Sequence, residues 1–260
     1  MSTPPSDATF TLATDLDGTF LGGSDADRAA LYDWIEARRD SVSLVFVSGR
    51  DPEFIHSLCS DNWVPWPDYV IGDVGTTVAR VDRHDEDKRT LTHLPELEHE
   101  IAARWGDAGE QVRKALADAR GLKLQPTKFR YRVSYDMDPD AFDPGACEVV
   151  TGMGLDWLVS DNRYFDVLPR GISKGPTLER FITAFGMSRG RVLVAGDTLN
   201  DLSMFKTGLN GAVVGGAEQA LLDATRDIRT ARKCKAIGAA GIMEAIAAFN
   251  LHPDANGEQE

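Results

Sequence analysis

The segment Phe10-Thr11-Leu12-Ala13-Thr14-Asp15-Leu16-Asp17-Gly18-Thr19 joins an apolar, β-prone run to an abrupt acidic turn. Its first five residues predict a short buried strand that delivers two aspartates to the loop at its carboxyl end. Carboxylates at spacing i, i+2 can converge on one small space when the turn bends the chain. This arrangement suits a nucleophile, Asp15, beside a general acid and base, Asp17.

The rest of the chain repeats the alternation of buried strand and helix that begins with this segment. Ser24 is a typical N-cap and predicts the first helix, and a later helix starts at Lys174. Such alternation predicts an α/β fold with a doubly wound, parallel-sheet (Rossmann-like) core. Further core strands are predicted over residues 41–47, 68–71, 191–195 and 212–214.

The middle of the chain follows a different pattern. It predicts a long amphipathic helix from about Pro95 to Arg120 and then strand-like runs, the first over Phe129–Asp136. We interpret residues 80–165 as an inserted, smaller α+β cap domain, with residues 1–79 and 166–260 forming the core. A chain of 260 residues is long enough for one sizeable core with such an insertion.

Composition and charge exclude several kinds of partner. The chain has 41 acidic and 28 basic residues and a formal net charge of −13, whereas binding to nucleic acid requires clustered Lys and Arg. No apolar run approaches the roughly 20 residues that cross a bilayer, so no membrane partner is expected. The three cysteines suit free thiols in a reducing compartment, which predicts a cytoplasmic location. No pattern indicates an oligomeric state.

A divalent cation is implied if Asp15 and Asp17 act on a phosphate group. Two carboxylates beside a phosphate repel it strongly unless a cation lies among them. A hard cation with oxygen ligands fits this need, and Mg²⁺ is the expected cofactor.

Four motifs, in this order, resemble those of the haloacid dehalogenase-like hydrolases. They are the acidic turn at Asp15, Ser48 at the end of a predicted strand, Lys174 at the start of a predicted helix, and Gly196-Asp197-Thr198-Leu199-Asn200-Asp201 after another strand. The last motif resembles the family pattern GDxxND. The resemblance spans nearly the whole chain and implies a magnesium-dependent phosphatase that forms an aspartyl-phosphate intermediate.

The resemblance also implies roles for individual residues. Asp15 is the expected nucleophile and a metal ligand, and Asp17 is the general acid and base and a metal ligand through its backbone carbonyl. Lys174 is expected to stabilise charge, and Asp197 completes the metal site. Asp201 and Asn200 belong to the outer shell of that metal site and orient Lys174. The expected phosphate or substrate contacts are Ser48, Gly49, Arg50, Asn200 and Arg132.

The insertion between Ser48 and Lys174 resembles the branch of the superfamily whose α/β cap selects sugar phosphates. Within that branch, residues 165–175 (FDVLPRGISKG) resemble a segment of sucrose-phosphate phosphatases, as do residues 131–135 and 74–76. Ser160-Asp161-Asn162 and Arg132 depart from that subgroup, where Ser-Gly-Gly and Lys are usual. The substrate implied is therefore a sugar phosphate such as sucrose 6-phosphate or mannosyl-3-phosphoglycerate, with glucosylglycerol phosphate and mannosylfructose phosphate as alternatives.

The cap strand predicted over Phe129–Asp136 offers candidate sugar contacts. Alternation places Arg130 and Arg132 on one face of this strand, opposite Tyr131 and Val133. Together with Lys128 and Gln125, these arginines either face the sugar or form a solvated outer face of the cap sheet.

Two other functions stay open at this point. A phosphohexomutase on the same scaffold would need a second phosphate-binding cluster in the cap, for which Arg130 and Arg132 are the hint. A noncatalytic sugar- or protein-binding relative would lack one of the four residues Asp15, Asp17, Lys174 and Asp197, and all four are present.

Overall fold

The computed structural model describes residues 10–61, 63–82 and 89–256. The strands in these ranges are β1 (Phe10–Thr14), β2 (Val42–Val47), β3 (Tyr69–Gly72), β4 (Thr77–Asp82), β5 (Thr90–His93), β6 (Leu122–Leu124), β7 (Val133–Met137), β8 (Asp156–Ser160), β9 (Tyr164–Leu168), β10 (Val192–Gly196), β11 (Asn210–Gly215) and β12 (Ala231–Ile237). The α-helices are α1 (Asp25–Glu36), α2 (Pro52–Asp61), α3 (Pro95–Trp105), α4 (Ala108–Ala115), α5 (Gly145–Gly152), α6 (Lys174–Ala184), α7 (Leu202–Phe205), α8 (Gln219–Ala224) and α9 (Gly238–Ala248).

The strands form a core sheet of eight and a second sheet of four. The core sheet has the order β12-β11-β10-β1-β2-β3-β4-β5, and its strands from β12 to β3 pair in parallel. Every residue of β1, β2 and β10 is buried, as expected for parallel strands that are covered on both faces. In chain order, β2 and β3 are added on one side of β1, and β10, β11 and β12 on its other side. The strand order therefore reverses between β1 and β10, and sheets of this type form a crevice at such a switch point.

The second sheet, in the order β6-β7-β9-β8, is antiparallel and carries α4 and α5. Its own apolar cluster includes Trp105, Tyr135 and Phe165. We use the word cap for residues 108–168. No helix among the described residues has the length and apolar character that a membrane span requires.

The two sheets divide the chain later than the expected boundaries at residues 80 and 165. Strand β4 continues to Asp82, and β5 pairs with it antiparallel, so both belong to the core sheet. At the other end, β9 belongs to the cap sheet as far as Leu168. The expectation failed at β5 because this edge strand is half exposed and polar, and it therefore lacks the apolar signature of the inner strands.

The single helix expected over Pro95–Arg120 is wrong, because the chain forms two helices. Gly106 ends α3 with φ +55° and ψ −124°, and α4 begins at Ala108 and ends at Ala115. Apolar periodicity continues through the break since both helices are amphipathic. The pattern alone therefore did not reveal the turn that glycine permits.

The strand expected over Phe129–Asp136 is also shorter than the pattern indicated. Strand β7 covers only Val133–Met137, so Arg130 and Arg132 lie outside it and do not share a strand face. Each arginine instead contacts a different carboxylate of the core, Glu98 for Arg130 and Asp73 for Arg132. These ion pairs connect both arginines to the core, and Arg132 also contacts Asp166 of the cap sheet.

A tight approach of two loops fixes the start of α6. Gly75 has φ +92°, and a Cβ placed there would lie 2.4 Å from the carbonyl carbon of Ser173. The hydroxyl of Thr177 donates to the carbonyl of Gly75 at 2.7 Å. Only glycine combines this backbone conformation with so short a distance, so Gly75 sets where Lys174 begins its helix.

We predict that Gly75→Ala lowers the free energy of unfolding by about 1–3 kcal/mol, because the methyl group strains both loops. Gly190→Ala is the matched control, since a Cβ there meets no heavy atom within 4 Å. The control should change stability by less than about 0.5 kcal/mol. Urea denaturation measures both, and equal stability of the two variants would contradict the prediction.

Candidate active site

The carboxyl ends of three parallel core strands and the start of one helix meet at a single edge of the core sheet. Asp15 follows β1, Ser48 follows β2, Asp197 follows β10, and Lys174 is the first residue of α6. Parallel strands place their carboxyl ends together, which brings these four residues of distant sequence position into one site.

Lys174 is the centre of this site and is fully buried. Its ammonium group donates to Asp15 Oδ1 at 2.6 Å, Asn200 Oδ1 at 2.7 Å and Asp201 Oδ1 at 2.6 Å. These three hydrogen bonds use every proton of the ammonium group. Burial opposes the charged form, but the attraction of Asp15 and Asp201 outweighs it and raises the pKa of Lys174 above its usual value.

Burial also changes the pKa of two acidic side chains of the site, Asp15 and Asp197. Burial raises the pKa of Asp15 well above its usual value, and Lys174 acts against this shift. Burial also raises the pKa of Asp197 to about 7, although the hydroxyl of Thr19 stabilises the carboxylate. A further positive charge in the site would therefore favour the ionised forms of Asp15 and Asp197.

A cation fits among these carboxylates. Ligand oxygens of Asp15, Asp197 and Asp201 lie within 4.8 Å of one another, which suits a hard divalent ion. Asp201, however, has both oxygens engaged: Oδ1 accepts from Lys174, and Oδ2 accepts from the backbone amides of Asp197 at 2.9 Å and Thr198 at 3.1 Å. This geometry favours Asp15 and Asp197 as direct ligands of the cation. Asp201 instead orients Lys174 and the backbone of Asp197.

The acidic turn after β1 depends on Gly18. This residue has φ +76°, and a Cβ there would lie 2.1 Å from Asp197 Oδ2. Thr19 donates its hydroxyl proton to Asp197 Oδ1 at 2.6 Å. The turn therefore packs directly against the loop after β10, and any larger residue at position 18 would displace Asp197.

Asp17 and Arg50 form an ion pair at the open side of the site. Arg50 Nε lies 2.9 Å from Asp17 Oδ2, and Nη2 lies 3.3 Å from Asp17 Oδ1. Both side chains are about half exposed, and the guanidinium group also stacks on Phe54. Arg50 is thus engaged with Asp17, whereas the sequence suggested only that it contacts substrate.

Ser48 and Gly49 lie beside Arg50 in a loop that is hydrogen-bonded to its neighbours. The hydroxyl oxygen of Ser48 accepts from the amide of Arg50 at 3.1 Å, which leaves its proton available to a ligand. The carbonyl of Gly49 accepts from Arg132 Nη2 at 2.9 Å. Arg132, which the sequence placed with the sugar contacts, therefore reaches the core.

A cleft of about 510 Å³ lies between the cap and the core at this edge. Of the four cap residues suggested as sugar contacts, Gln125 and Arg132 line the cleft. Arg130 instead pairs with the buried carboxylate of Glu98 and with His93. The core residues that line the cleft are Asp15, Asp17, Gly49, Arg50, Asp51, Phe54, Val74, Thr198 and Asn200.

The sequence did not single out several polar cap residues of the cleft. Asp136 accepts a hydrogen bond from Gln125 at 3.0 Å. Arg163, in the turn between β8 and β9, and Tyr164, the first residue of β9, also line the cleft. That turn is formed by Asp161 and Asn162, both with positive φ. Asp-Asn between two strand-like runs is a hairpin signal that could have located Arg163 and Tyr164.

A comparison with protein-family models identifies the family of this chain. Residues 8–250 match the model of the family described as sucrose-6F-phosphate phosphohydrolase. The chain belongs to this family. The resemblance to haloacid dehalogenase-like hydrolases of the sucrose-phosphatase-like subgroup is thereby confirmed.

Relatives of this sucrose-6F-phosphate phosphohydrolase family member carry several names. This chain is 38% identical over 242 residues to the glucosylglycerol-phosphate synthase of Pseudomonas anguilliseptica, and the match covers 92% of this chain and 31% of that protein. It is 28% identical over 252 residues to the mannosylfructose-phosphate phosphatase of Agrobacterium fabrum, covering 93% of this chain and 97% of that protein. The chain thus spans about a third of the first relative and nearly all of the second.

A solved structure shows the same fold. The sucrose-phosphatase of Synechocystis sp. PCC6803, in complex with sucrose and phosphate, superimposes with a TM-score of 0.82 at 22% identity. The match covers 94% of this chain and 98% of that chain. It confirms the expected α/β core with an inserted cap.

In this sucrose-6F-phosphate phosphohydrolase family member, we predict that Lys174→Met lowers the free energy of unfolding by about 3–5 kcal/mol in the absence of metal. Removing one partner of a buried ion pair leaves the other charge uncompensated, and this is the usual size of the loss. Chemical denaturation near neutral pH measures it. Lys206→Met is the control because Lys206 is exposed. Equal stability of the two variants would show that Lys174 does not stabilise the carboxylates.

Proposed function

We propose that this chain is a magnesium-dependent phosphomonoester hydrolase that acts on a sugar phosphate through an aspartyl-phosphate intermediate. The observation that carries this proposal is the contact of Lys174 with Asp15, beside Asp197, at the floor of a polar cleft. The contact leaves Asp15 Oδ2 without a protein donor among the hydrogen bonds of the described residues. That oxygen is the one that would attack phosphorus.

The reaction follows from the residues in two displacements. Asp15 attacks the phosphorus atom, the bond from phosphorus to the sugar oxygen breaks, and Asp17 gives its proton to the leaving oxygen. A water molecule then attacks the aspartyl phosphate, Asp17 takes a proton from that water, and inorganic phosphate leaves with Asp15 regenerated. Lys174 favours the ionised form of Asp15 against the effect of burial and offsets charge throughout.

Two features of the site prepare these steps. Asp15 and Asp197, with the backbone carbonyl of Asp17, would hold Mg²⁺, whose charge offsets that of the phosphate. In the structure Arg50 holds the side chain of Asp17. Transfer of Arg50 to the phosphate group of the substrate would free Asp17 to reach the leaving oxygen.

The substrate class is inferred from the cleft and from the relatives. A polar cleft between cap and core suits a group rich in hydroxyls, and Gln125, Asp136 and Tyr164 offer donors and acceptors to it. The relatives are named for glucosylglycerol phosphate, mannosylfructose phosphate and sucrose phosphate. We therefore assign a glycosyl or disaccharide phosphate to the cleft, and the cytoplasmic location expected from the free cysteines belongs to the same proposal.

The phosphohexomutase alternative is less well supported. It would need a free pair of cations in the cap for a second phosphate group. Arg130 is paired with Glu98, and Arg132 is paired with Asp166 and Asp73. Both arginines are therefore already neutralised by carboxylates.

We predict that the protein releases inorganic phosphate from at least one glycosyl phosphate in a panel that includes sucrose 6-phosphate, mannosylfructose phosphate, glucosylglycerol phosphate and mannosyl-3-phosphoglycerate. Asp15→Asn should lower kcat by about 10⁴-fold or more, as loss of a reacting nucleophile does. Asp33→Asn, the same change at an exposed position of α1, should leave kcat unaltered. Full activity of Asp15→Asn would refute the mechanism.

We also predict that a chelator stops phosphate release and that Mg²⁺ restores it. Asp197→Asn should raise the Mg²⁺ concentration needed for half-maximal activity by about 10- to 100-fold or more. Loss of a group that only orients a metal ligand has an effect of this size, and loss of the ligand itself should cost at least as much. Calorimetric titration with Mg²⁺ gives a second readout that is independent of turnover. Asp223→Asn, at an exposed acid, is the control. Unchanged Mg²⁺ affinity in Asp197→Asn would contradict this assignment of the ligand.

A further inference from the structure

Arg132 joins the cap to two loops of the core. It lies just before β7 and is 6% exposed. Its Nη1 donates to Asp166 Oδ1 of the cap at 3.0 Å, and its Nη2 donates to the carbonyl of Gly49 at 2.9 Å and to Asp73 Oδ1 at 3.3 Å. The guanidinium also stacks on Phe129, with 3.6 Å from Cζ to the ring centroid. One side chain of the cap thus contacts both loops that border the site.

The loop that Arg132 reaches has an unusual backbone. Asp73 and Val74 have φ +54° and +58°, in the left-handed region that a residue with a side chain rarely adopts. For a β-branched residue such as Val74 the conformation is especially unfavourable. Such a backbone persists only where surrounding contacts determine it.

The loop of residues 73–75 contacts the loop after β2, residues 48–50, and the start of α6. The amide of Asp73 donates to the carbonyl of Arg50 at 2.9 Å, and the amide of Val74 donates to the carbonyl of Ser48 at 3.1 Å. Gly75 packs against the peptide that precedes Lys174. A shift of residues 73–75 would therefore displace Ser48, Arg50 and Lys174 together.

We propose that Arg132 is a positioning residue, which makes the geometry of the core site depend on closure of the cap. Arg132 supplies the counter-charge that keeps the buried carboxylate of Asp73 in place, and Asp73 in turn determines the strained loop. When the cap moves away, Arg132 leaves with it. The carboxylate then lacks its guanidinium partner, and residues 73–75 lose the contact that fixes them. This inference rests on the proposed phosphatase function.

The burial of Asp73 shows why the guanidinium matters. Asp73 is 4% exposed, and burial raises the pKa of its carboxyl group, with Arg132 and the hydroxyl of Thr77 acting against that shift. Thr77 donates to Asp73 Oδ2 at 2.6 Å and belongs to the core sheet, so it stays in place when the cap moves. Among the described residues, Arg132 is the cationic partner of Asp73, and its departure would leave this buried charge with the neutral donor Thr77.

The test compares a small substrate with a large one. p-Nitrophenyl phosphate lacks a sugar for the cap to contact, whereas the best glycosyl phosphate from the panel fills the cleft. We expect Arg132→Met to lower kcat for both substrates by about 10- to 100-fold, because small displacements of a reacting group cost that much. Arg132→Lys keeps the charge but cannot bridge three acceptors, and we expect it to recover only part of the loss.

Arg130→Met is the matched control, since Arg130 is also a cap arginine paired with a core carboxylate but does not touch residues 73–75. It should leave kcat for p-nitrophenyl phosphate unchanged. If Arg132→Met fails to fold, Asp73→Asn removes the same ion pair from the core side and should lower kcat for both substrates. A rise in KM for the glycosyl phosphate alone would make Arg132 a sugar contact and overturn the proposal, as would full recovery by lysine.

Hydrogen exchange separates failure of this inference from failure of the proposed function, because it requires no turnover. We expect the amides of residues 73–76 to exchange at least about 10-fold faster in Arg132→Met than in the unmodified protein or in Arg130→Met, since local opening governs exchange. Unchanged exchange overturns the positioning role even in an active enzyme. Faster exchange in a protein that hydrolyses none of the substrates would support the role of Arg132 and refute the phosphatase assignment.

Discussion

The buried ammonium group of Lys174 is the interaction on which the rest of the site depends. Asp15, Asp197 and Asp201 bring three carboxyl groups to one edge of the core sheet, where burial raises the pKa of Asp15 and of Asp197. Lys174 donates to two of these carboxylates and to the side chain of Asn200, and so joins the start of α6 to the loops after β1 and β10. Asp15 and Asp197 are the side chains we propose as ligands of a divalent cation at this edge.

Close contacts between backbone segments hold the loops around Lys174 against one another. Gly18 lets the acidic turn lie against Asp197, and Gly75 lets the loop after β3 lie against the peptide before Lys174. The same loop contains Asp73, whose ion pair with Arg132 connects it to the cap. The buried side chains of Asp15, Asp73 and Asp201 are thus each paired with a cation from a distant segment. Displacement of one segment would therefore displace the side chains that it contacts.

Much of the core site could be predicted because parallel strands place their carboxyl ends at one edge. Asp15, Ser48 and Asp197 each follow a strand that the apolar pattern revealed, so their convergence needed no knowledge of packing. The pattern failed where local periodicity and structure diverge. Gly106 breaks a helix within a continuous amphipathic pattern, and β5 is an edge strand too polar to resemble its neighbours.

The sequence by itself determined the fold class and the order of the four motifs, and it led to the expectation of a cation, because these depend on short-range patterns and on the chemistry of carboxylates. Only the tertiary structure decided which partners the arginines take. Arg50 pairs with Asp17, Arg130 with Glu98, and Arg132 with Asp73 and Asp166. A long charged side chain is satisfied by whichever carboxylate the fold brings within reach, and residues separated by 32 to 59 positions have no periodic relation that a sequence pattern could reveal.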